Sequence, residues 1–231
     1  MDAGLSGKAI ERRMELRQIV PSSIDAIVVS HEHSDHIQGV GVLSRRFQLP
    51  VYISQITHTQ AAAKLGRLHE TVTFTCGESF TVNGLKLHPF PTSHDAVDPA
   101  GFTIEANGYK VGIATDLGIV THMVRSHLAE CAVLVLEANH DPAMLMDGPY
   151  PWPLKQRIKG RTGHLANEDT CQLIEDLAHD NLQHVILAHL SETNNSREKA
   201  VEKIRQVTDR LGVKLTVATQ DQCSRLIRLK S

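Results

Sequence analysis

What most restricts the folding of this chain is a succession of short apolar runs, rich in β-branched residues, each closing on a histidine or an acid. The run Ile24 to Ser30 (IDAIVVS) leads directly into His31-Glu-His-Ser-Asp-His36. Leu85 to Phe90 leads through Pro91-Thr-Ser to His94, and Val111-Gly-Ile-Ala-Thr stops at Asp116. Val133-Leu-Val-Leu stops at Glu137 and His184-Val-Ile-Leu-Ala at His189. Apolar runs of this length bounded by turn residues read as strands. Loops that follow strand ends are where α/β proteins build sites on a rigid scaffold. An Asp or His buried at the rim of such a core needs a partner, and a divalent cation suits both.

The periodicity predicts strands over 24–30, 51–54, 80–82, 85–90, 102–106, 109–115, 133–136, 184–188 and 215–218. Asn83-Gly84 and Asn107-Gly108 lie between paired runs, where both residues tolerate the positive φ of a type I′ hairpin. The middle of the chain is therefore expected to be antiparallel. Helical spacing covers 8–18, 36–47, 57–65, 118–128, 167–179 and 196–211. Asn167 ahead of Glu168 and Asp169, and Ser196 ahead of Glu198, supply a capping side chain and acids against the helix dipole. The least regular stretch is 140–163, rich in Pro, Gly and cations. Hairpins with flanking helices predict an α/β (α+β) fold with two sheets sandwiched between helices, in one domain covering 1–231.

Composition narrows the function classes. With 41% hydrophobic and 22% charged residues, nothing argues for disorder. Cys76, Cys131, Cys171 and Cys223 form no Cys-x-x-Cys pair, so neither a thiolate zinc knuckle nor a disulfide framework is indicated. A net charge of −2 means that any nucleic-acid contact must come from a local basic patch. No apolar run approaches the roughly 20 residues of a membrane span, and the first residues lack the apolar region of a signal peptide, so a cytoplasmic location is expected. The surplus is in histidine, 14 residues, and imidazole is the commonest protein metal ligand.

His31 and His33, two residues apart at a strand end, converge with Asp35 and His36 on the turn into the next helix. A lone His at a strand end is usually a polar surface residue; four ligand-type side chains at this spacing point to metal. These residues resemble the metallo-β-lactamase superfamily, whose signature is His-x-His-x-Asp-His followed by a lone His, a lone Asp and a final His. The resemblance covers nearly the whole chain and implies a metallo-β-lactamase αββα four-layer sandwich holding two ions. It makes His31, His33 and His94 the ligands of one metal and Asp35, His36 and His189 those of the other, with Asp116 bridging.

Within that superfamily the chain looks most like the YycJ/WalJ-like group. The resemblance is carried by Glu137-Ala-Asn-His-Asp141, Gly148-Pro-Tyr-Pro-Trp-Pro-Leu-Lys155, Gly163-His-Leu-Ala-Asn167 and His189-Leu-Ser-Glu-Thr-Asn-Asn195. It departs from the group at Ala166, where the group has Ser, and at the amino end. The group carries one or two further strands before Asp-Ala-Gly-Leu-Ser-Gly, whereas here Met1 falls within what should be a strand. An open sheet edge is then expected, through which two copies could pair as a homodimer.

The resemblance implies a phosphodiester substrate and DNA exonuclease activity from the 5′ end. Two ions about 3.5 to 4 Å apart would share a hydroxide as nucleophile, with Asp35 ligating and orienting it. His164, in a Gly-rich approach to a helix, is expected to bind a substrate phosphate or protonate the leaving group, with Glu137 as its orienting carboxylate; tRNase Z proteins use a similar pair. The plainer reading is a helix-capping surface His. Lys155, Arg157, Lys159 and Arg161, beside Tyr150 and Trp152, form either a DNA-contact segment with aromatic stacking or an ordinary solvated face. Mixed imidazole and carboxylate donors accept zinc or manganese, and iron as well. The alternatives are a small-molecule hydrolase on the same fold, acting on a cyclic phosphate or a thioester, and a non-catalytic metal-binding protein.

Overall fold

The computed structural model describes residues 1–229. They divide into two compact units, Met1–Pro91 with Ala96–Ala100, and Thr92–Asp95 with the chain from Gly101 onward. Among the described residues no helix is long and apolar enough to cross a membrane.

In the first unit α1 (Gly7–Leu16) is followed by β1 (Ile27–Val28), α2 (Ser34–Ile37), α3 (Val40–Phe47), β2 (Pro50–Ser54), α4 (Gln55–Leu65), β3 (Glu70–Phe74) and the strands β4 (Phe80–Val82) and β5 (Leu85–Pro91). Strands β1, β2 and β3 form a parallel sheet in that order, with Ile27 beside Val51 and Val51 beside Thr71. Val29, Ile37, Val40, Val51 and Ile53 bury its apolar side. Serines start two of the helices: Ser6 accepts from the Ala9 N–H and Ser54 from the Thr57 N–H, satisfying donors that helix starts leave free.

Three expectations change here. The single helix predicted over 36–47 is α2 and α3, broken at Gly39. A Cβ there would lie 2.4 Å from the Leu5 carbonyl oxygen, and the Gly39 N–H donates to Ala3 O at 2.7 Å. The break is imposed by a segment more than 30 residues away in sequence, which no local periodicity records. The strand predicted over 24–30 shrinks to two residues, because Ser30 N–H turns to the Asp2 carboxylate at 2.8 Å. Residues 1–6, expected to begin within a strand, form none. Asp2 N–H donates to Val28 O at 2.8 Å, and then the positive φ of Asp2, 47°, turns the chain so that Ala3 N–H meets His36 O. Strand β3 was not anticipated, although Thr-Val-Thr-Phe carries the β-branched alternation that could have found it.

The second unit holds β6 (Ala100–Ala106, its first residue shared with the first unit), β7 (Tyr109–Ala114), α5 (His122–Leu128), β8 (Val133–Glu137), α6 (Pro142–Asp147), α7 (Trp152–Ile158), α8 (Asn167–Asp176), β9 (His184–Ala188), α9 (Arg197–Arg210) and β10 (Lys214–Val217). Its strands lie in the order β10-β9-β8-β7-β6; β6 and β7 are antiparallel, and β7 through β10 are parallel. Phe102, Leu134, Leu136, Val185 and Leu187 are fully buried. The β4/β5 and β6/β7 hairpins turn at Asn83-Gly84 (φ 43° and 81°) and Asn107-Gly108 (φ 51° and 79°), as predicted.

Stretch 140–163, expected to be irregular, contains α6 and α7, each with Pro in its first turn, where the missing N–H costs nothing. Predicted helix 118–128 begins only at His122, capped by Thr121. Asn167 does not cap α8: the cap position is Ala166, and the Asn167 side chain donates instead to Asn195 Oδ1 at 3.0 Å. Ser196 does cap α9, accepting from Lys199 N–H at 3.1 Å.

Candidate metal centre

In the first unit the predicted ligands follow β1. His31 Nε2 lies 3.1 Å from His33 Nδ1, and the His31 and His36 rings are 4.0 Å apart. His36 Nε2 lies 3.7 Å from Asp35 Oδ2, with Asp35 largely exposed and His31 and His36 buried. Behind them sits a residue that the motif does not announce, Asp2. Its Oδ2 is 3.0 Å from His36 Nδ1 and accepts from the Ser30 hydroxyl at 2.8 Å, and that hydroxyl lies 3.0 Å from His31 Nδ1. Burial would raise the pKa of Asp2, but the hydrogen bond and charge of His36 outweigh it and hold the carboxyl below its ordinary value. A carboxylate on Nδ1 fixes the tautomer and turns Nε2 outward, the usual support of an imidazole ligand.

In the second unit the predicted site residues stand at the ends of adjacent strands. Asp116 follows β7, Glu137 ends β8 and His189 follows β9; Glu137 pairs with Ala188 in register. His94 belongs to the same unit. Asp116 Oδ1 lies 3.6 Å from His94 Nε2 and 3.4 Å from His189 Nε2. Each imidazole is tied through its other nitrogen: His94 Nδ1 to Gly163 O at 3.2 Å, His189 Nδ1 to Glu137 Oε1 at 2.7 Å. Asp116 and His189 adopt left-handed backbone, φ 57° and 56°, a costly conformation that clusters at functional sites.

Glu137 is fully buried and organises this half. Its Oε1 also takes His164 Nδ1 at 2.8 Å, and its Oε2 accepts from the Leu117 and Leu165 N–H groups at 2.9 and 3.1 Å. Burial pushes this carboxyl up, but hydrogen bonds from His164 and His189 outweigh it and its pKa lies below the ordinary glutamate value. Asp116, Glu137, His164 and His189 offer donor atoms within 4.8 Å of one another. Glu137 accepts from four donors, two of them imidazoles, whereas the Nε2 atoms of His94 and His189 are turned towards Asp116. Burial also keeps His94 below the ordinary imidazole value, against the pull of Asp116, which favours the neutral form that ligates metal.

The predicted substrate residues divide. His164 is half-buried on Glu137, so the orienting pair is present. Lys155 is turned inward: it is buried and its ammonium donates to Met146 O at 2.6 Å. Its ammonium is thus engaged by α6, where an exposed cation was expected. Arg157 is exposed and binds Asp95 Oδ2 at 2.5 Å; Lys159 and Arg161 are exposed, and Tyr150 is half-buried. Sequence reasoning missed a frame of amides behind the site. Asn139 donates to His189 O at 2.9 Å, and Asn195 donates to Ala138 O and Asn139 O at 2.9 and 3.1 Å. Glu137-Ala-Asn-His and Asn194-Asn195 were legible as motifs, but not as one bracket joining the residue after β8 to the loop before α9, 57 residues on.

The donor sets suit divalent metal ions, with imidazoles held in the tautomer that ligates and carboxylates between them. The β-lactamase superfamily domain matches residues 1–190, and the chain belongs to that family. It has the metallo-β-lactamase fold and is a metal-dependent hydrolase of that class. The metallo-β-lactamase fold protein YhfI of Bacillus subtilis superposes with a TM-score of 0.71 at 18% identity, over 94% of this chain and 82% of that one. More specifically, the chain groups with two proteins named exodeoxyribonucleases. YycJ of Bacillus anthracis is 36% identical over 214 residues, 92% of this chain and 81% of that protein. WalJ of Streptococcus pneumoniae serotype 2 is 35% identical over 204 residues, 87% and 76%.

Proposed function

We propose that this chain is a dinuclear metal-dependent phosphodiesterase that degrades DNA exonucleolytically, in the 5′ to 3′ direction. The observation that carries the reading is Asp116 Oδ1 set between His94 Nε2 and His189 Nε2, each imidazole anchored through its other nitrogen. The names of the YycJ and WalJ relatives support DNA as substrate. In this reading the two units act as one domain. His31, His33 and His94 would hold one ion and Asp35, His36 and His189 the other, with Asp116 shared between the two sets; zinc or manganese suits these donors, and iron is compatible.

When bound, the ions supply an acidified water and neutralise charge growing on the phosphoryl oxygens. The protein's own residues do the rest. Asp35, exposed beside His36, accepts a hydrogen bond from the attacking water and aims it. Glu137 holds His164 Nδ1, leaving Nε2 to meet a phosphate oxygen or give a proton to the leaving 3′ oxygen. Arg157 and Arg161 draw the phosphate backbone towards the site, in a sequence-independent way that weakens with salt.

The test is hydrolysis of 5′-labelled DNA, as a single strand and as a duplex, by protein loaded with manganese or zinc, beside Asp116→Ala and His164→Ala, with bis-p-nitrophenyl phosphate as a small diester. Release of the label as a mononucleotide, abolished by Asp116→Ala and cut by about 100-fold or more by His164→Ala, is expected. Hydrolysis of the small diester alone would move the assignment to a small-molecule hydrolase. Bound metal without either activity would leave a non-catalytic metal protein.

A further inference from the structure

We infer that Trp152 is a stacking platform for an unpaired base of the DNA strand entering the site; this rests on the reading above and adds single-stranded character to the substrate. Trp152 is the only tryptophan of the chain, and its residue is 58% exposed. Trp is highly buried on average, and an amphipathic ring left in water is a common mark of recognition. Tyr150, the other aromatic of the segment, is half-buried, so Trp152 is the ring offered outward.

The platform is rigid. Pro151 and Pro153 flank Trp152 and fix φ on both sides. Lys155, one turn on, is anchored by its ammonium to the Met146 carbonyl, which ties α7 to α6. A backbone held this way needs no reordering when a base stacks on the ring it carries.

It is also aligned with the chemistry. From Trp152, α7 rises about 9 Å to Ile158, whose carbonyl accepts from the His164 N–H at 2.8 Å. Beyond that end, Gly163 O holds His94 Nδ1, and Ser93 Oγ donates to Arg161 O at 2.7 Å. Arg157 binds Asp95, whose Oδ1 is 3.4 Å from His94 Nε2. One short element thus carries an exposed indole at its start, exposed Arg157, Lys159 and Arg161 towards and after its end, and the support of His94 and His164 at the far side. Aromatic faces interleaved with cations beside a positive track are how sequence-tolerant single-strand binding is built. The cations select a polyanion, and the indole requires a base free of its pair.

Because Trp152 is the sole tryptophan, its fluorescence reports the platform directly. The experiment titrates the metal-loaded protein with a nuclease-resistant phosphorothioate oligothymidylate of about 12 nucleotides, within the range of known single-strand sites, and with a blunt hairpin of the same linkage. Quenching by the single strand and markedly less by the blunt hairpin is expected. Hydrolysis of unmodified oligothymidylate by Trp152→Ala should show KM raised by about 10-fold or more, the worth of one stacked base. Turnover of bis-p-nitrophenyl phosphate should be unchanged, and Trp152→Phe should recover most of the loss. DNA hydrolysis with no quenching and a normal KM for Trp152→Ala would overturn the platform and leave the nuclease reading intact. Quenching that depends on protein concentration without DNA would assign the ring to self-association instead. Failure of the wild type to bind or cut DNA, with the small diester hydrolysed, would remove both readings.

Discussion

The two ligand clusters are supported in opposite ways. In the first unit His31, His33, Asp35 and His36 lie within six residues of one another, and Asp2, a partly exposed carboxylate in a short irregular segment, supports His36 directly and His31 through the Ser30 hydroxyl. In the second, His94, Asp116 and His189 span almost 100 residues, and the support is a fully buried Glu137 accepting four hydrogen bonds at the end of a central strand. Where the chain brings ligands together locally, a single side chain suffices to steer them. Where it must gather them from several strand ends, a buried charge saturated by donors sets the geometry, and losing it leaves several groups unpaired at once.

The largest effect should follow from Glu137→Ala. Two backbone N–H groups and two imidazole nitrogens would lose their acceptor in the interior, costing about 3 to 5 kcal/mol, the usual range for breaking a buried charged network. Denaturant unfolding measures this, and a wild-type midpoint would dissolve the contrast between the clusters. Gly39→Ala probes the other unit. Its methyl would press on the Leu5 and Ala3 carbonyls, which cannot swing aside as a side chain would, and a loss of about 1 to 3 kcal/mol is expected.

Asp2→Ala should cost less in stability, about 1 kcal/mol, but should weaken metal affinity by about 10- to 100-fold through the loosened His36. Competition with a metal chelator reads that affinity. Equal affinity would mean that the local motif orients itself and that Asp2 serves only the main chain.

The smallest effect is in acid. Asp2 and Glu137 are both held below their ordinary values, so the folded state favours their ionised forms. That contribution is complete above the unfolded values, near pH 4, and is lost as pH falls through the lower folded ones. Stability curves of Glu137→Gln and Asp2→Asn between neutral and acid pH should each be flatter than wild type at the acid end, the former more so. The reverse order would invert the ranking of the two supports.

How much of this was legible divides along the same line. The hairpins at Asn83-Gly84 and Asn107-Gly108 and the strand ends closing on His94, Asp116, Glu137 and His189 were read from residue type and spacing; the pairing of Glu137 with His164 leaned on the family resemblance. Those signals are local: a turn needs positive φ at two residues, and a buried run followed by a ligand needs only a sheet to end there. Misread were the capping role of Asn167, the charge offered by Lys155, the unbroken helix over 36–47 and the strand at Met1. Each was overruled by a partner in another element or segment: Asn195 for Asn167, Met146 O for Lys155, the Ala3 and Leu5 carbonyls for Gly39, Val28 and His36 for the first residues.

The sequence by itself determined which side chains could bind metal and in what order along the chain they occur, because ligand chemistry belongs to the residue and strand ends announce themselves in hydrophobic pattern. Only the tertiary structure decided which nitrogen each imidazole presents, that Glu137 serves His164 and His189 together, and that Trp152 stands outward while Lys155 is buried. The imidazole choices depend on hydrogen bonds closed between groups tens of residues apart, and that of Lys155 on one to a neighbouring helix; the spacing of residues along a chain carries no record of which donor and acceptor will meet.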